Sequence, residues 1–232
     1  MRKLLKISVF ITAIVFSFVL SACSNGSSSV EKPALAGKTY KITSYIWYYS
    51  YYEDNVCDYN STCRKELVSE NTVTVDYKAD DEDYFWTITR TGAGNSFEYT
   101  AVVDHYSEYV DNSIMQGWWD RTAEKQSDFD RFPSQAENEF NNTYNIRNSF
   151  GNITFLDETN FQLWQETSGK FVYGTYETNK AGTEIILTIL DESKKFIYSK
   201  KNGTMDYTFT EDDRDASGTG SVIMDIYRFS EF

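Results

Sequence analysis

Strict alternation of apolar and polar residues runs through the second half of the chain. Ile185, Leu187 and Ile189 share one face of the run 183–190, and Phe171, Tyr173, Thr175 and Glu177 alternate with Val172, Gly174, Tyr176 and Thr178. A period of two puts successive side chains on opposite faces of a strand, so these runs cannot sit as amphipathic helices. Turn signals divide them: Asn179-Lys180-Ala181-Gly182 before the aliphatic run, and Asn202-Gly203 between 196–201 and 204–210. Asn-Gly tolerates the positive φ of a type I′ turn and predicts a hairpin there. The same pattern predicts strands over 38–52, 72–78, 83–90, 97–105, 152–156, 161–166 and 220–229. Many short strands with regular turns mean an antiparallel sandwich or barrel.

One helix interrupts the pattern. Ser134-Gln135-Ala136-Glu137 reads as a capping box after Pro133, and Ala136, Phe140 and Tyr144 then recur every four residues as a stripe for packing on a sheet. The stretch 106–130, which holds Trp118-Trp119, carries no clear period.

The N-terminus has a different character. Arg2, Lys3 and Lys6 precede an apolar run from Ile7 to Leu20, the pattern of a secretory signal peptide over residues 1–22. That run is shorter than the roughly 20 residues a membrane span needs. Leu20-Ser21-Ala22-Cys23 resembles the lipobox of bacterial lipoproteins, which implies cleavage before Cys23 and acylation of that cysteine. More than one acyl chain makes such anchoring stable. Residues 23–34 then read as the lipidated cysteine and a polar, flexible tether, and the folded domain is expected over 35–232. Ser24 after the cysteine resembles the outer-membrane sorting pattern of many Gram-negative lipoproteins, so the expected place is the cell envelope, lipid-anchored, at the outer membrane.

Removing Cys23 from the count leaves Cys57 and Cys63 as an even pair in an oxidising compartment, which predicts a disulfide closing a short loop. Such a bridge would contribute about 2 kcal/mol. The formal charge of −13 argues against nucleic acid and anionic lipid surfaces as partners. Aromatic content of 17% argues against disorder, and a mature chain of about 210 residues can hold one sizeable core or two small ones.

Few residues suggest chemistry. His105 is the only histidine; its neighbour Asp104 points to the other face of a strand, and no Gly-x-Ser-x-Gly elbow exists. Asp213-Arg214-Asp215-Ala216-Ser217-Gly218 starts like a calcium loop, but Met224 stands where a bidentate glutamate belongs, so a polar hairpin loop fits better. No catalytic residue, metal site or cofactor is therefore expected. The most unusual stretch is YIWYYSYYEDNVCDYNSTC, Tyr45 to Cys63. By simple alternation Tyr40, Ile42, Ile46 and Tyr48 share one face, and Tyr45, Trp47, Tyr49 and Tyr51 the other. Three uses are open: a strand packed on both faces, a ring-lined pocket, or an exposed adhesive patch.

The opening Leu35-Ala36-Gly37-Lys38-Thr39-Tyr40, and the run from Asn152 to Ile189 with its Gly-Thr-Tyr, resemble bacterial lipoproteins with a lipocalin-like (calycin) β-barrel. The resemblance implies a mainly β fold, an antiparallel barrel on which the one helix packs; the stretch around 79–150 exceeds what a minimal barrel of that kind needs and is expected to be a long insertion. In lipocalins an early aromatic and a late arginine pack across each other to close the barrel, which points to Tyr40 and Arg228, with Arg228 facing inward. The resemblance also implies binding rather than catalysis: a small, partly apolar or aromatic ligand, with Trp47, Tyr49 and Trp164 as candidates for its wall. The alternative is a structural or adhesive surface lipoprotein that meets a protein or glycan partner.

Overall fold

The computed structural model describes residues 33–111, 116–165 and 168–232. The leader, Cys23 and the tether up to residue 32 lie outside them. The chain is mainly β, built on a closed eight-stranded antiparallel barrel. Its strands are β1 (Thr39–Glu53), β7 (Asn152–Phe155), β8 (Asn160–Gln165), β9 (Lys170–Thr178), β10 (Glu184–Ile189), β11 (Glu192–Ser199), β12 (Thr204–Asp212) and β13 (Gly220–Glu231). Each pairs with the next, and β13 returns to β1 over nearly the whole length of both, from Tyr40↔Glu231 to Tyr52↔Gly220.

The long first strand serves both the barrel and a meander that continues the same sheet. Its opposite edge meets β7 only at Thr39 and Tyr40, then pairs with β2 from Ser44 to Glu53. From there β2 (Val56–Ser69), β3 (Thr72–Ala79), β4 (Glu82–Ala93), β5 (Ser96–Asp111) and β6 (Gln116–Asp120) form a meander. Two helices, α1 (Thr122–Arg131) and α2 (Pro133–Phe150), bring the chain back to β7. The insertion thus starts at β2 rather than near residue 79, and a second helix joins the expected one.

Local chemistry explains where these elements turn. Asp54 and Asn55, at φ 48° and 65°, supply the two left-handed residues of a tight β1–β2 hairpin. At Asn202-Gly203 only the glycine has positive φ, and Ser199 accepts from both backbone N–H groups, so the expected type I′ turn is replaced by a longer one. Asn179 behaves as expected: its side-chain oxygen accepts from the Thr183 and Glu184 N–H groups. Helix α2 begins at Pro133, with Phe132 as N-cap and no side-chain cap bond, so the Ser134–Glu137 capping box does not form. Proline suits that first position because its missing N–H would have no helical partner.

The Cys57–Cys63 disulfide is also corrected. Both residues lie on β2 and both are free thiols. Six residues along an extended strand separate them by roughly 20 Å, against about 7 Å at most for a bridge. Cys57 is exposed, while burial pushes the Cys63 thiol up to about 11. A thiol reagent should therefore label Cys57 fast in the native soluble chain and Cys63 only after unfolding. A chain that is unreactive until reduced would contradict this.

Two cores result. The barrel encloses Tyr40, Ile42, Phe155, Phe161, Phe196 and Phe229, among others. The second lies between the meander and the helices, where Val73, Val75, Trp86, Ile88 and Val103 meet Phe129 of α1 and Ala136 and Phe140 of α2. The predicted stripe Ala136, Phe140, Tyr144 faces this core, with Tyr144 at its margin. Helix α2 reaches both cores: Phe140 is fully enclosed in the second, and the Phe150 ring lies 4.6 Å from Tyr227 and 5.9 Å from Phe229 in the barrel.

A bulge at Thr43 decides which rings of β1 go where. Ile42 pairs with Phe229 but Ser44 already pairs with Arg228, so β1 carries one extra residue. The slip moves Tyr45, Trp47 and Tyr49 onto the face that Tyr40 and Ile42 occupy before it, contrary to simple alternation. Tyr45 accordingly lies 5.2 Å from Tyr227.

Candidate functional site

An apolar cavity of about 510 Å3 opens at one end of the barrel. β8 contributes Leu163, β9 Val172, β10 Leu187 and Ile189, β11 Phe196, and the end of α2 contributes Phe150. Each strand residue belongs to the inward half of its strand's alternation. The rim is polar: Gln165, Asp191, Glu192 and Lys194.

Two glycines allow this geometry. A Cβ on Gly174 would come 2.7 Å from the Phe161 ring and 2.3 Å from the Thr188 carbonyl oxygen, so this inward position must stay bare for the ring to pack. Gly151, at φ +70°, turns α2 into β7 directly against the Trp164 carbonyl, 1.5 Å from where a Cβ would stand. Opposite, the β7–β8 turn is tied by Asp157, whose carboxylate accepts from the Thr159 and Asn160 N–H groups and the Asn160 side chain. These bonds, the Asn160 side chain first, lower its pKa to about 2. A folded pKa below the unfolded value of about 3.9 stabilises above that value and ceases to as pH falls toward 2. Asp157→Ala should therefore lower the melting temperature at pH 7, with the difference from wild type closing in melts recorded below pH 3.

The candidate wall of Trp47, Tyr49 and Trp164 is not one site. Trp164 alternates with Leu163 onto the outside of the barrel, where its ring lies 4.8 Å from Phe171. Trp47 and Tyr49 do meet, stacked at 5.7 Å, but neither lines the cavity. They begin a ring-bearing row across the meander, in which Trp47, Cys63, Tyr77, Tyr84 and Tyr106 stand opposite one another on successive strands. Tyr84 stacks on Tyr77 at 4.8 Å and on Trp86 at 4.3 Å, and the Lys125 ammonium of α1 lies 5.0 Å from the Tyr106 ring centre. These rings are the margin of the second core, stacked on one another.

The closure pair also separates. Tyr40 is fully buried in the barrel, 5.7 Å from Phe155, and burial pushes its hydroxyl pKa well up. Arg228 alternates with the core residues Tyr227 and Phe229, so it faces outward rather than inward. There its guanidinium donates to both oxygens of Asp206, at 2.9 and 2.8 Å.

No family model, curated protein or solved structure matches the chain.

His105 has neighbours that spacing did not suggest. The Ser107 hydroxyl is 2.9 Å and the Asp83 carboxylate 3.8 Å from the same nitrogen, Nε2. A hydrolytic triad needs its serine and carboxylate on opposite ring nitrogens, so the cluster lacks that geometry. The Asp213–Gly218 stretch is a polar loop in which Asp215 accepts from the Ser217 and Thr219 N–H groups. Among the described residues no group of three or more His, Cys, Asp or Glu side chains is placed to hold a metal ion.

Proposed function

We propose that the protein is a lipid-anchored lipoprotein of the bacterial cell envelope, held at Cys23 and most consistent with the outer membrane. Its barrel binds a small, largely apolar ligand without catalysis or a cofactor. The observation that carries the reading is the apolar cavity at the barrel end, of a size ordinary for small-molecule sites. The positive n-region, apolar stretch and lipobox before Cys23 support the anchor.

The neutral dye N-phenyl-1-naphthylamine, which brightens in apolar surroundings, tests the pocket. It should bind saturably, one per chain, and Leu163→Trp, which fills the cavity from β8, should abolish the signal while the far-ultraviolet spectrum stays unchanged. Unsaturable dye binding, or binding indifferent to Leu163→Trp, would sink the reading.

The second reading is a surface lipoprotein that contacts a protein or glycan partner. Trp118 and Trp119, 51% and 46% exposed on edge strand β6, favour it. Being neighbours on a strand, they point to opposite faces and form no single patch.

A further inference from the structure

The barrel wall is not continuous around the cavity. β11 and β12 pair only between Phe196–Ser199 and Thr204–Tyr207. Beyond that, residues 192–195 pair with β10 alone and residues 208–212 with β13 alone. The two strands part, and a second cavity of about 450 Å3 lies in the gap, lined by Lys195, Ile197, Asp206 and Thr208. Glu192 and Lys194 line both cavities, so the two are neighbours across β11.

Lys194 stands at that junction. It shares the inward face of β11 with Phe196 and Tyr198, both in the barrel core. Its ammonium donates to the Tyr207 hydroxyl at 3.3 Å and lies 5.0 Å from that ring's centre. Two of the other charges lining the gap are matched: Lys195 faces Glu184 at 3.5 Å, and Asp206 is held by Arg228. Among the described residues no carboxylate lies within 4 Å of the Lys194 ammonium, although Asp191 and Glu192 stand on the same rim. In a chain of net charge −13, a cation left unmatched beside an apolar cavity selects a negative group. The Tyr207 oxygen already accepts from Lys194, so its own proton can go to the same negative acceptor.

We propose that the ligand is an amphiphile with an anionic head, which lies through the β11–β12 gap. Its chain packs on the apolar lining, and its head takes hydrogen bonds from Lys194 and Tyr207. This deepens the apolar-ligand reading and rests on it.

Displacement of N-phenyl-1-naphthylamine by two ligands of equal chain length, dodecanoate and dodecanol, separates the two ideas. Wild-type protein should hold dodecanoate about tenfold more tightly, as one charge-assisted hydrogen bond allows. Lys194→Met should bring that ratio near one. Lys170→Met, on β9 and lining neither cavity, should keep the preference. Dye binding with equal affinity for acid and alcohol would overturn the anionic head and leave the apolar pocket standing. A preference that survives Lys194→Met would overturn the assignment to this gap. Failure of dye, acid and alcohol alike to bind would overturn both readings.

Discussion

Phe229→Ala is expected to lower the unfolding free energy by about 3–5 kcal/mol, the cost of removing a large ring from a closed core. Phe229 is fully buried on β13, with Phe196 at 5.6 Å and Phe150 at 5.9 Å. β13 cannot shift to fill the space, because it pairs with β1 on one edge and β12 on the other. Phe140→Ala should cost a similar amount, since Phe140 is fully enclosed in the second core against Tyr99 and Tyr144. The informative contrast is Phe209→Ala, which removes the same ring at 48% exposure and should change stability by less than about 1 kcal/mol. Urea titration of the three variants checks the order. Because α2 and β1 belong to both cores, unfolding should remain a single transition in each variant.

Gly151→Val should be more damaging still. The left-handed φ of +70° is strained for any β-branched residue, and a Cβ would fall 1.5 Å from the Trp164 carbonyl oxygen. That oxygen belongs to β8, which pairs with β7 immediately after the glycine, so relief requires moving the entry into the barrel. A loss of more than about 4 kcal/mol, or no folded protein, is the expected outcome of this clash combined with backbone strain. Gly169→Ala is the matched control: its φ is +59° but its Cβ would meet nothing within 4 Å. It should cost only about 1–2 kcal/mol, from backbone strain alone. Similar losses for the two variants would mean that α2 does not enter the barrel as described.

The barrel half of the chain was legible because its alternation is unbroken. From Asn152 onward apolar residues recur at every second position, and the expected strands match the observed ones to within a residue or two at most ends; β13 has them on both faces, Val222, Met224 and Ile226 on one and Tyr227 and Phe229 on the other, so the side that Arg228 takes could not be read from it. β2 was obscured by its own composition. Its residues Val56–Ser69 mix charges and hydroxyls on both faces, and two cysteines suggested a looped bridge. The signal that could have found it is Asp54-Asn55, two residue types that tolerate left-handed backbone between aromatic and polar strand residues. α1 was hidden for a related reason, since Phe129 is its only buried residue.

The bulge at Thr43 and the cavity lie beyond what local pattern can convey. A single inserted residue exchanges the faces of everything after it, and Thr43 has no property that announces this. The cavity is lined by Leu163, Val172 and Ile189, ordinary aliphatic residues that alternate as core residues do. Only the closure of eight strands, and the parting of β11 from β12, separates lining from core. The conspicuous rings from Tyr45 to Tyr59 drew attention as a binding wall. They instead tie the meander to the barrel: Tyr45 against Tyr227, Trp47 against Tyr49, Tyr49 against Tyr59.

That the barrel end is a binding site is tested most directly by a native mass spectrum of the chain from Ser24 onward, exported to an oxidising compartment and compared with Leu163→Trp. The wild-type protein should carry a reproducible extra mass that is lost on denaturation and absent from the variant. A wild-type chain that flies bare, and stays bare after incubation with N-phenyl-1-naphthylamine, would contradict the account.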